Sequence, residues 1–117
     1  MKIAVLATVG MVLAGAALAD SAIVTNVDAR KSGATWTFSV TIAHPDEGWD
    51  HYADGWGVYL QDGTELGYRV LHHPHVNEQP FTRSLSGVKV PAGVTQVMVV
   101  PRDSVHGVGD GVLVALE

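Results

Sequence analysis

Along Trp36-Thr37-Phe38-Ser39-Val40-Thr41-Ile42 an apolar residue stands at every even position. That period of two is what a strand with one buried face requires. The same alternation runs through Ile23, Thr25, Val27 and Ala29, then through Trp56, Val58 and Leu60. It resumes at Leu66, Tyr68 and Val70 across Asp62-Gly63, two residues that tolerate positive φ and so signal a hairpin. A fifth strand is expected over Phe81 to Val88, a sixth around Val97 and Val99, and a seventh through Val112, Val114 and Leu116. No segment after residue 19 carries a helical period. Short strands separated by Gly and Pro turns predict an all-β fold, a seven-stranded antiparallel sandwich of the immunoglobulin or fibronectin type III kind. The cysteine pair of true immunoglobulins is missing, which favours the fibronectin-like form.

The amino-terminal segment follows a different pattern. Lys2 precedes an apolar and small-residue run from Ile3 to Leu18 that closes on Ala17-Leu18-Ala19, the layout of a secretory signal with a small-x-small cleavage site. The run falls short of the roughly 20 apolar residues that span a bilayer. The expected organisation is therefore a signal peptide over residues 1–19, cleaved after Ala19, and one β-sandwich domain over residues 20–117. That domain is expected to be periplasmic or secreted, with no membrane span in the mature form.

Composition removes several classes of chemistry. The chain has 117 residues and no cysteine, so disulfides, thiolate zinc sites, iron–sulfur clusters and a cysteine nucleophile are all excluded. Twelve acidic against seven basic residues give a formal charge of −5, which speaks against nucleic acid as a partner and for a cation or a basic surface.

If successive strands are antiparallel, alternate connections share one end of the sandwich. One end then holds the glycine turns near Lys31-Ser32-Gly33, Asp62-Gly63 and Pro91-Ala92-Gly93. The other holds loops 44–51, 72–80 and 103–110, and all six histidines lie in those three loops. Loops at one end of such a fold form its recognition surface. Neutral imidazole suits zinc and copper, and neighbouring carboxylates orient the rings. The candidate metal ligands are His73, His75, His44, His51 and His106, with His73-Pro74-His75 the sharpest pair because residues two apart in an extended chain point to one side. Asp50, Glu78, Trp49, Arg83 and Asp103 are candidate supporting or partner-contacting residues. Without thiolates the expected ion is Cu(II) or Zn(II); the spacing of Asp46, Asp50 and Asp54 does not match a calcium loop.

No enzyme signature accompanies these residues. Asp103, Ser104 and His106 lie close in sequence but lack the strained G-x-S-x-G turn of a nucleophile elbow. Two rival expectations use the same loop end without a metal. One is a non-enzymatic module binding an exported protein or a carbohydrate through Trp49, Tyr52, His75, Arg83 and His106. The other is a protonation switch built on the histidines.

Two resemblances bear on these expectations. Gly67, His73-x-His75 and Glu78 together resemble the first metal motif of cupins, and Gly87-Val88-Lys89-Val90-Pro91-Ala92-Gly93 is similar to the start of the second, which implies a small cupin-like barrel as the alternative fold. The spacing departs from that pattern, with only Val76 and Asn77 between His75 and Glu78. The stretch from His72 to Ser84, with His44-Pro45, Gly48-Trp49 and Asp103 to Gly107, resembles a set of uncharacterised small exported bacterial proteins carrying an HHPHxNEQPFTRS-type loop. That resemblance implies a recurrent loop end and no particular activity.

Overall fold

In the computed structural model, residues 5–6 and 21–117 are described, and no helix occurs among them. The expected signal peptide and its expected cleavage after Ala19 lie outside the described residues, apart from the backbone pairing of Val5–Leu6.

The strands are β1 (Val5–Leu6), β2 (Ile23–Ser32), β3 (Thr35–Ala43), β4 (Ala53–Tyr59), β5 (Glu65–Val70), β6 (Phe81–Val88), β7 (Gln96–Asp103), β8 (Gly107–Val108) and β9 (Val112–Ala115). One sheet runs β2-β3-β6; the other runs β1-β9-β7-β4-β5, with β8 added alongside β7. All pairings are antiparallel. Neither sheet closes on itself, so the cupin-like barrel is corrected to two open, stacked sheets.

The inner faces supply the core. Trp36, Phe38, Val40 and Ile42 of β3 pack with Val27 and Ala29 of β2 on one side and with Trp56, Val58, Val97, Val99 and Val114 on the other. Trp36 and Trp56 are thus core residues, as their place in the alternation predicts. Truncating a fully buried ring such as Trp56 to alanine costs about 3–5 kcal/mol.

The alternation misleads at one place. Ile23 and Thr25 are exposed and Val24 is buried instead, because a register shift between Val24 and Asn26 inserts one residue opposite β3 and reverses the side-chain phase.

Turn chemistry sets the two ends apart. β2 and β3 are joined by Gly33-Ala34 alone, with Gly33 at φ 62°, a left-handed conformation that glycine adopts at no steric cost. The opposite end is built from the longer connections β3–β4, β5–β6 and β7–β9, and there the core ends in polar groups.

Candidate metal centre

The inward phase of β3 does not stop where the strand stops. Buried positions continue from Ile42 to His44 and Asp46, two residues at a time. On the facing sheet, β7 does the same: Val97, Val99 and Pro101 are followed by Asp103, which is 0% exposed. An imidazole just past the end of β3 and a carboxylate at the end of β7 therefore continue the core-facing rows of two opposite sheets. Among the described residues the buried polar side chains are Ser21, His44, Asp46, His51, His75 and Asp103, and all but Ser21 lie at this end.

His51 arrives from the β3–β4 loop. Glu47 N donates to His51 O at 2.8 Å and His51 N to Gly48 O at 3.2 Å, a tight turn made possible by Gly48 at φ 104°. That turn directs the His51 ring back over the core. Its Nε2 comes to 3.2 Å from His44 Nε2, with the rings edge to face at 4.7 Å between centroids. Asp103 completes the group, with Oδ2 3.9 Å from His44 Nε2 and Oδ1 3.5 Å from His51 Nε2.

Carboxylates hold the far nitrogens. His44 Nδ1 donates to Asp46 Oδ1 at 2.6 Å, and His51 Nδ1 donates to Glu47 Oε1 at 3.2 Å. These bonds hold each ring by its Nδ1 edge, and the two Nε2 atoms meet on the other side. Asp46 is itself well secured: Oδ1 also accepts from Ala53 N at 3.0 Å, and Oδ2 from His75 N at 2.7 Å.

Asp103 is anchored through one oxygen only. Oδ1 accepts from Val105 N at 2.8 Å, from His106 N at 2.6 Å and from His106 Nδ1 at 3.2 Å. Oδ2 is buried and has no hydrogen-bond partner among the described residues. Burial pushes the Asp103 carboxyl upward, but the His106 and Val105 backbone donors, with the His106 and His44 rings, outweigh it and hold the group below the usual carboxylate range. Oδ2 is thus a buried carboxylate oxygen without a hydrogen-bond donor among the described residues, 3.9 Å from His44 Nε2.

The spacing suits a small ion. Ligand atoms at the 2.0–2.1 Å bond lengths of a tetrahedral zinc site lie about 3.3–3.4 Å apart along each edge. The Nε2 atoms of His44 and His51 are 3.2 Å apart, close to that edge, and one possible ligand atom from each of His44, His51 and Asp103 lies within 4.8 Å of the others. His44, His51 and Asp103 are the group of three possible ligands found among the described residues.

The other candidates fall into place around it. His106 is partly exposed and packs its ring 5.0 Å from that of His51. His75 is buried but stands apart: its ring stacks on Phe81 at 3.9 Å, and its Nε2 accepts from Arg83 Nη2 at 2.9 Å. Glu78 lies 3.9 Å from both His75 Nε2 and Arg83 Nη2. His73 is exposed, with its ring tilted 34° to that of His75 at 4.8 Å between centroids, and it is not in the group of three possible ligands. Asp50 is exposed, and Trp49 is 67% exposed with its ring edge to face against Tyr52.

Asp46 and Glu47 were not among the site residues expected from sequence. Asp46 carried a usable signal, since it continues the two-residue step from Ile42 through His44. The Glu47 contact follows from the loop turn and left no such trace.

A stretch of 77 residues, 66% of this chain, is 47% identical to a protein named "Putative lipoprotein" in Halomicrobium mukohataei. The chain spans only 37% of the length of that relative. No family model matches the chain, and no solved structure matches it. Among the described residues no helix is long and apolar enough to cross a membrane.

Proposed function

We propose that this chain is an exported, non-enzymatic domain that binds one divalent transition ion, Zn(II) or Cu(II), through His44, His51 and Asp103. The observation that carries the proposal is the grouping of His44, His51 and Asp103, whose possible ligand atoms all lie within 4.8 Å of one another, with Asp103 Oδ2 buried and without a hydrogen-bond partner among the described residues. The carboxylates on both Nδ1 atoms support it, because metal-binding histidines almost always donate their second nitrogen in this way. Export is supported by the signal-like leader and by the name of the relative. The order β2-β3-β6 against β9-β7-β4-β5 supports an immunoglobulin or fibronectin type III arrangement of the strands.

Calorimetric titration of the chelator-stripped protein with Zn(II) and Cu(II) at pH 7.5 tests the reading. Saturable one-to-one binding is expected for at least one ion, weaker at pH 5.5, where protons compete for the imidazoles. Absence of heat for both ions, confirmed by equilibrium dialysis, would refute it.

A second reading rests on Trp49, which projects from the same end at 67% exposure beside Tyr52. Exposed aromatic pairs of this kind anchor protein or carbohydrate partners. Binding on a glycan array that Trp49→Ala abolishes would favour it.

A further inference from the structure

Three protein ligands leave a tetrahedral ion one position short, and what fills that position separates a closed site from an open, water-bearing one. We infer that His106 supplies the fourth ligand, by rotation of its ring about its own side-chain bonds. The inference rests on the three-residue site proposed above and deepens it.

The neighbouring groups narrow the choice. Glu47 bonds the Nδ1 side of His51, on the far side of that ring from the convergence point. Asp46 has both oxygens engaged by His44, Ala53 and His75. His75 offers Nε2 to Arg83 and lies against Phe81. His106 alone of these has its ring packed on a proposed ligand, His51, and touches the carboxylate of another, Asp103.

The backbone of His106 is also fixed where such a ligand needs it. Asp103 Oδ1 takes the amide of His106 at 2.6 Å, closing a local turn of the kind Asp side chains favour. That bond anchors the main chain of His106 beside the site, while its side chain keeps 35% exposure and room to turn. Turning the ring away from Oδ1 costs little, because that oxygen keeps the Val105 and His106 backbone donors. Inward rotation would also cover the solvent side of the ion.

Co(II), a spectroscopic stand-in for zinc, tests the inference on the whole chain. The wild type is expected to give the intense visible absorption of a four-coordinate ion. His106→Ala is expected to bind at least tenfold more weakly and to give a fainter spectrum of higher coordination, with water in place of the ring. Circular dichroism of the metal-free variant checks that the fold survives, and His106→Gln provides a second replacement should the alanine variant unfold. An unchanged affinity and spectrum in the variants would overturn the inference and leave the three-ligand site standing. So would faster exchange at unchanged affinity, which would make His106 a gate. Failure of the wild type to take up Co(II) or Zn(II) would instead remove the metal site itself.

Discussion

Two pairs of histidines lie at the same end of the sandwich, and only one of them converges. His44 and His51 meet edge to face with their Nε2 atoms 3.2 Å apart. His73 and His75 meet as tilted rings, 4.8 Å between centroids at an interplanar angle of 34°, with no hydrogen bond between their nitrogens. The difference comes from what each ring's second contact is. A carboxylate on Nδ1 holds His44 and His51 by the edge and turns their Nε2 atoms toward each other, whereas Phe81 holds His75 by its face and Arg83 takes up its Nε2. Proximity of imidazoles therefore does not set how their nitrogens are arranged; the other partners of each ring do.

The sharpest way to break this comparison is to delete one ring from each pair. His44→Ala is expected to reduce Zn(II) affinity by more than the roughly 10–100-fold that loss of an outer partner costs, since it removes a ligand outright. His73→Ala is expected to change it by less than about twofold, the ring being exposed and outside the group. Competition against a chromophoric chelator reads both. A large loss on His73→Ala would return the H-x-H pair to the ligand set.

Asp46 joins the two regions and gives the next largest effect. Its carboxylate accepts from His44 Nδ1 through one oxygen and from His75 N through the other. Asp46→Asn puts an amide where three N–H donors converge, leaving at least one of them opposed by a donor. The expected result is a roughly 10–100-fold loss of Zn(II) affinity. A loss of about 1–3 kcal/mol from the metal-free fold should accompany it, as for other unsatisfied buried polar groups. Chelator competition and chemical denaturation measure the two separately. Loss of stability alone would make Asp46 a brace for the loops and not an orienting partner of His44.

Much of this end was legible in the sequence. Antiparallel parity placed loops 44–51, 72–80 and 103–110 together, and the pairing of Ala53 with Asp103 shows β4 and β7 meeting there. What parity could not supply was direction within the loops. His73-Pro74-His75 looked the better pair because spacing along one chain is visible, whereas the His44–His51 convergence depends on the turn at Gly48 folding the loop back. Asp103 read as a supporting residue for the same reason. Its standing as a core position emerges only when the β7 alternation is carried past Pro101. The phase error at Ile23 has a related origin: a bulge is a property of two paired strands, and the pattern of one strand does not reveal it.

The smallest expected effect concerns protonation of the second pair, and it tests what commits His75 Nε2. Burial first, then the Arg83 guanidinium, then His73 push the His75 imidazole below the usual value of about 6.5. The guanidinium is a donor only, so it selects the Nδ1–H tautomer of His75 and opposes a proton on Nε2. In the metal-free protein the unfolded chain gains a proton at this position as the pH falls through about 6.5, while the folded chain resists until lower pH. His75 therefore contributes stability that is present above about 6.5 and is lost as the pH drops toward its depressed folded value. Arg83→Ala removes the second of the three causes. The His75 midpoint is expected to move upward and the acid-side loss of stability to shrink, although burial keeps part of the shift in place. Nitrogen-detected NMR of the ring through the titration, with denaturation at pH 7.5 and 5.5, reads both quantities. The difference between variant and wild type isolates His75 from the carboxylates that titrate lower. If the midpoint stayed put, the guanidinium would not be what commits this nitrogen, and the contrast between the two pairs would rest on the Phe81 stack alone.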